Sequence, residues 1–191
     1  VAVRYNLLTN MHMAHMADTG IKGTDLYIWD ETDGKWQFVN CNRPVRDYSW
    51  KPGSPRKDSI QSKVYVDKLD GKMHEYMIYL PLYDGVNWLE IGVEKGATIE
   101  MPKLDNPRKG KKLVFYGTSI LHGGCATRPG MVATSILQRD LNLECVNIGI
   151  SGEGKMDFCM ARAMAQIPDV AAFIIDPIPN CTKDMCDSLT Y

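Results

Sequence analysis

At 191 residues, 45% of them hydrophobic and 24% charged, the chain can bury the core of one large domain or two small ones, and its composition is that of an ordinary soluble globular protein. A net charge of -1, with no Lys/Arg cluster of the kind that tracks phosphates, excludes a nucleic-acid partner; no apolar run approaches the roughly 20 residues of a membrane-spanning helix. The six cysteines (Cys41, Cys125, Cys145, Cys159, Cys181, Cys186) include no Cys-x-x-Cys pair, which argues against a zinc site or a small disulfide scaffold. Cys145 and Cys159 lie in apolar patterns and are read as core thiols.

The chain opens directly in the alternating stretch Val1-Ala2-Val3-Arg4-Tyr5, and a segment preceding it is expected. From Val1 to about Met101 the signals are those of an antiparallel β module. Asp33-Gly34, Asp70-Gly71 and Asp84-Gly85 punctuate β-branched and aromatic runs, and Asp-Gly suits the type I′ hairpin turn because both central residues need positive φ. The region is expected to form a sandwich or jelly roll. Within it, His12 and His15 suggest a metal pair, but on an extended chain the two imidazoles would face opposite ways, so no metal is expected. Trp29, Trp36, Trp50 and Trp88 all fall here, either filling the sandwich core or offering faces to a sugar ring.

The stretch MPKLDNPRKGKK, from Met101 to Lys112, has two prolines, a glycine and no periodic apolar pattern, and reads as an interdomain linker over 102–112. Beyond it the pattern alternates. A strand LVFY leads into a Gly-Thr-Ser turn and a Gly-rich loop. A helix from about Pro129 to Leu141 follows, with Val132, Ile136, Leu137 and Leu141 on one face. A strand ECVNIGI, a helix from about Lys155 to Gln166 and a strand VAAFII complete the series. Strand-helix-strand order implies parallel pairing. The division is therefore 1–101, 102–112 and 113–191.

Each of these three strands ends in a small or polar turn: Gly117-Thr118-Ser119, Asn147 to Gly152, and Asp176 to Asn180. Ligands of open α/β sheets bind beyond the carboxyl ends of the strands, so all three turns belong to one edge. Ester hydrolysis needs a nucleophile and donors aimed at the developing oxyanion. The Ser119 hydroxyl supplies the first; the Ser119 N–H, the Gly152 N–H and the Asn180 amide supply the second. Taken singly, Ser119 would suit a helix cap, Gly152 a positive-φ turn and Asn180 a loop. Asn147 and Asp176 are read as structural hydrogen-bonders.

The ordered triple GTSI, NIGISGEG and DPIPN resembles blocks I to III of the SGNH (GDSL-type) hydrolases. Gly23-Thr24-Asp25-Leu26-Tyr27 resembles the G-x-D-L-Y signature of the β-rich module that precedes the hydrolase domain in one bacterial branch. The resemblance implies a flavodoxin-like α/β domain with sheet order 2-1-3-4-5, which would set the three strands side by side. It implies Ser119 as nucleophile, Gly152 and Asn180 as oxyanion donors, and Thr118, His122 and Gly123 near the substrate. It also implies a serine esterase without cofactor or metal, acting on a small acyl ester or an acetylated carbohydrate and suited to a secreted or periplasmic site. Thr118 replaces the family's Asp before the nucleophile. The family's fourth block, Asp-x-x-His, supplies the general base and does not occur in this sequence, whose histidines are His12, His15, His74 and His122. The expectation is a truncated hydrolase half that is inactive by itself. His122 is a poor substitute base, because a short loop rarely aims a side chain back onto its own nucleophile. The alternative is a non-catalytic carbohydrate-binding or interaction protein.

Overall fold

The computed structural model describes residues 1–9, 11–45, 59–104, 110–183 and 185. Trp50, Cys186 and the middle of the expected linker, 105–109, lie outside them. The chain divides into two compact units, Val1–Leu104 with Cys125–Gly130, and Asp105–Gly124 with Met131–Tyr191.

The first unit is antiparallel. Strand β1 (Ala2–Leu7) is central in a sheet with β4 (Ile60–Val64) and β6 (Val86–Gly92), and β2 (Asp25–Asp30) is central in another with β3 (Lys35–Cys41) and β5 (Tyr76–Tyr79). The period of two along β1 turns Val3, Tyr5 and Leu7 inward, where they pack with Leu26 of the other sheet and with Tyr65. The two sheets share one core, as in a sandwich. A five-residue helix α1 (Asp18–Lys22) joins β1 to β2. Segment 11–17 turns at residues 14–16 and does not run extended as expected, and His12 Nδ1 pairs with Asp18 Oδ1 at 2.9 Å.

One of the three Asp-Gly pairs makes a hairpin. Asp30 pairs with Lys35 across a four-residue connection in which Gly34 takes φ +62, longer than the two-residue type I′ turn expected. Asp30 Oδ1 closes it by accepting from Thr32 N at 2.9 Å and Asp33 N at 3.3 Å. Asp70-Gly71 lies instead between β4 and β5, strands of different sheets, because each pairs with a central strand laid down earlier. Asp84 is buried, and its carboxylate accepts from Thr9 N (2.8 Å), Thr9 Oγ1 (3.0 Å) and Met11 N (2.7 Å), so it ties the end of β1 to the start of β6. Trp29 and Trp36, directly paired across β2 and β3, meet edge-to-face at 5.5 Å, while Arg4 lies over Trp88.

The second unit is parallel. Strand β7 (Lys112–Gly117) runs between β8 (Glu144–Gly149) and β9 (Val170–Asp176), the side-by-side order 2-1-3 that the family resemblance implied. Val114 and Tyr116 face one side of the sheet and pack with Met164 of helix α4 (Phe158–Met164), with Val146, Ile148 and Met160 around them. Cys159, expected in the core, is exposed, because Met160 and Met164, four residues apart, take the inward face of that helix. Cys145 is half-buried, and burial, with Glu144 beside it, pushes its thiol up to about 11. None of the five described cysteines forms a disulfide. No helix among the described residues is long and apolar enough to cross a membrane.

Candidate active site

The register of the parallel sheet fixes where the three polar turns begin. Gly117, the last residue of β7, pairs with Gly149 at the end of β8 and with Asp176 at the end of β9. Ser119, Gly152 and Asn180 therefore follow one cross-sheet row by two, three and four residues respectively. That row is the carboxyl edge at which an α/β sheet presents ligand-binding groups.

Ser119 is half-buried and begins a one-turn helix α2 (Ser119–His122), where a Gly-rich loop was expected. Thr118 is buried and caps this turn, its side chain accepting from Ile120 N at 3.4 Å. Gly123 closes the turn with φ +117, its N–H donating to the carbonyls of Ser119 and Ile120 at 3.2 Å, and Gly124 N donates to Ser119 O at 2.7 Å. His122 stands at the far end of the turn, its N–H donating to Thr118 O at 3.0 Å. The extended backbone of Thr118 followed by four helical residues converts a strand into a helix start, which leaves Ser119 just outside the sheet.

The second turn is held against the first by backbone contact. Ile150 N donates to Gly117 O at 2.9 Å, and Gly154 packs so closely on the same carbonyl that a Cβ there would lie 2.1 Å from it. The Tyr116 hydroxyl accepts from Lys155 N at 3.0 Å and Met156 N at 3.1 Å, which anchors the far end of the turn to β7. Between these fixed points Gly152 is exposed with φ +77, and a Cβ would meet nothing within 4 Å, so backbone conformation is what favours glycine there. Asn147, on β8, joins three pieces: its amide donates to Leu121 O (2.9 Å) and Thr134 Oγ1 (3.0 Å), and its carbonyl accepts from Gly149 N (2.9 Å).

Asn180 ends a 3-10 turn, Ile178–Asn180, and its backbone N–H donates to Pro177 O at 2.9 Å. Its side-chain Nδ2 is buried and has no hydrogen-bond partner among the described residues. A buried donor left unpaired is costly.

Helix α3 (Ala133–Leu141), preceded by the 3-10 turn Pro129–Met131, buries Val132 at its N-cap together with Thr134 and Ser135; Leu141, expected on the inward face, is 41% exposed. The polar Thr134 is inside because Asn147 uses its hydroxyl. Sequence reasoning missed Gly154, since close approach of two backbones carries no signal beyond the glycine itself.

A parallel α/β unit with polar turns aligned along the carboxyl edge of its sheet, in a chain that also holds an antiparallel unit whose two sheets share one core, is the class that these features define. Residues 110–190 match the GDSL-like Lipase/Acylhydrolase family, and residues 1–99 match the family described as the N-terminus of SGNH-hydrolase-type esterases, GxDLY. A crystal structure described as that of a GDSL-like lipase from Bacteroides ovatus superposes with a TM-score of 0.82 at 36% identity, over 98% of this chain and 50% of that one. No curated protein matches. The chain belongs to the SGNH (GDSL-like) hydrolase family and spans about half the length of that solved relative.

Proposed function

We propose that the whole protein is a serine esterase in which Ser119 attacks the acyl carbonyl. The observation that carries this reading is the row Gly117–Gly149–Asp176, from which Ser119, Gly152 and Asn180 follow within four residues. In the proposed step the Ser119 hydroxyl loses its proton to a general base as its oxygen adds to the carbonyl carbon. The carbonyl oxygen becomes an oxyanion accepting from the Ser119 N–H, the Gly152 N–H and the Asn180 amide. The unpaired, buried Nδ2 of Asn180 and the open space around Gly152 support those two assignments. Collapse expels the alcohol, which takes the proton back, and water then releases the acid through the same steps in reverse roles. The base is an Asp-x-x-His block of the kind the family carries, supplied elsewhere in the whole protein. His122 and Gly123 flank the acyl group, whereas Thr118, expected beside them, is buried and serves as the cap of the turn.

The finer proposal is a short acyl group, acetyl first, carried on a carbohydrate. It rests on the resemblance to carbohydrate esterases with a β module ahead of the hydrolase domain. The test is turnover of p-nitrophenyl acetate, butyrate and octanoate by the whole protein and by Ser119→Ala. Acetate is expected to be the best substrate, with loss of at least about 10³-fold on Ser119→Ala. Equal rates for the two proteins remove the nucleophile assignment, a preference for octanoate removes the short-acyl one, and glycan binding without turnover favours a binding protein.

A further inference from the structure

Two neighbouring strands of the parallel sheet end in residues without side chains at the same point. Gly117 closes β7, Gly149 closes β8, and the two are partners in the register. Gly149 has no positive φ, so its backbone would suit any residue; what the site refuses is a side chain. A Cβ there would lie 2.2 Å from His122 N, 2.5 Å from His122 Cα and 2.9 Å from the Leu121 carbonyl carbon, where ordinary contact begins at 3.4 Å. A Cβ on Gly117 would lie 3.1 Å from Leu121 Cδ2. The one-turn helix α2 therefore rests on this pair, its backbone on Gly149 and its Leu121 side chain on Gly117.

Asn147, two residues before Gly149, completes the seat. Its amide donates to Leu121 O at 2.9 Å and to Thr134 Oγ1 at 3.0 Å, and its Oδ1 accepts from Gly149 N at 2.9 Å. One side chain thus ties together the strand end, the helix laid on it and α3. A four-residue helix needs such ties, because a single turn costs more in ordered backbone than its own hydrogen bonds return. The strand end cannot give way: Ile150, the next residue, donates to Gly117 O at 2.9 Å and holds β8 to β7. A group added at Gly149 displaces α2 instead. With a rise of about 1.5 Å per residue, Ser119 stands only about 4.5 Å along the axis from His122, so a shift at one end of the turn reaches the other.

We infer that Gly149, with Asn147, is a positioning residue for Ser119: the bare strand end and the amide beside it set the height and tilt of the helix whose first residue carries the hydroxyl. The inference rests on the reading of Ser119 as nucleophile. It gives Asn147 and Gly149 a task separate from that of Gly152, which in the same reading donates its N–H to the oxyanion. Gly149→Ala fills the seat. Asn147→Asp keeps the shape and the acceptor for Gly149 N, and sets a carboxylate oxygen against Leu121 O in place of a donor.

The experiment uses the whole protein. The kcat and KM for p-nitrophenyl acetate and the hydrogen exchange of the Gly123 and Gly124 amides, which donate to Ser119 O, are measured for Gly149→Ala and Asn147→Asp. Leu143→Ala is the destabilised reference, since Leu143 is buried just before the amino end of β8, at the other end of the strand from Gly149. Gly149→Ala is expected to lower kcat about 10- to 100-fold with KM within about threefold, and to speed exchange of both amides at least about tenfold. Asn147→Asp is expected to change both in the same direction, by about three- to tenfold. Leu143→Ala is expected to leave kcat of the folded protein within about twofold. A folded Gly149→Ala protein with kcat within about twofold of the parent, or with exchange unchanged, overturns the inference, as does an equal kcat loss in Leu143→Ala. Should Gly149→Ala fail to fold, Asn147→Asp decides by the same two readouts. If Ser119→Ala retains full turnover, the nucleophile reading fails separately, and amide exchange alone decides whether the seat orders α2.

Discussion

Replacing Gly154 by alanine tests the coupling between the first two turns of the candidate site. A Cβ at this position would lie 2.1 Å from Gly117 O, about 1.3 Å short of ordinary contact, and the obstacle is backbone. Neither side can move freely. Gly117 O already accepts from Ile150 N at 2.9 Å, while the Gly154 segment is pinned by Gly154 N to Ile150 O at 3.0 Å and by Lys155 N and Met156 N to the Tyr116 hydroxyl. Overpacking of this kind costs about 2–3 kcal/mol, and the relief available is a shift of the 151–154 turn by about 1 Å. A shift of that size in an oxyanion donor costs about 10²-fold in rate. Gly152→Ala is the matched comparison: its Cβ meets nothing, so only the left-handed backbone is strained, at about 1 kcal/mol. Urea unfolding and p-nitrophenyl acetate turnover of the whole protein measure both variants. Gly154→Ala is expected to lose more stability and more kcat than Gly152→Ala. A Gly154→Ala protein within about 0.5 kcal/mol and about twofold of the parent refutes the argument.

Three further outcomes are expected. Asp84→Ala removes the acceptor for Thr9 N, Thr9 Oγ1 and Met11 N and should cost about 2–4 kcal/mol in urea unfolding; a loss under about 0.5 kcal/mol shows that Asp84 does not hold this corner. Burial raises Tyr5 from 10.0 to about 12 against the hydrogen bonds from Asn42 and Thr24, and raises Cys145 from 9.0 to about 11. Both groups are neutral when protonated and hold the proton more tightly when folded, so their contribution is complete below pH 9 and is lost as pH rises through 11 to 12; stability should fall across that window, by about 2–3 kcal/mol from Tyr5 alone, and Tyr5→Phe should flatten the upper part of the fall. Asn147→Ala should lower kcat more than it raises KM, since it frees Leu121 O and Thr134 from β8; a pure KM effect contradicts the positional role.

The parallel half of the fold was legible because its signals are local and repeated: β-branched strands, helical apolar spacing and small polar turns at each strand end, in the order that the sheet 2-1-3 realises. The antiparallel half was legible in class but not in pairing. Asp70-Gly71 and Asp84-Gly85 look like hairpin turns, yet β4, β5 and β6 each pair with β1 or β2, and only long-range contacts decide that. Asp84 works through its carboxylate, invisible to a dipeptide rule. The grouping of Cys125–Gly130 with the antiparallel unit was illegible for the same reason: Arg128 meets Asp25 across 103 positions of sequence. The candidate residues Ser119, Gly152 and Asn180 could be named from strand-end turns, whereas Gly154, Asn147 and Arg128 emerge only once backbones and side chains are in place.

The central claim is that Ser119 is the nucleophile, and covalent trapping tests it most directly. A fluorophosphonate reacts with an activated serine by displacement of fluoride, leaving a phosphonyl ester on the attacking oxygen. Peptide mass spectrometry of the treated whole protein should locate one adduct, on Ser119, with loss of turnover in proportion to labelling. An active protein that is labelled on another residue, or that loses its activity with Ser119 unmodified, contradicts the account.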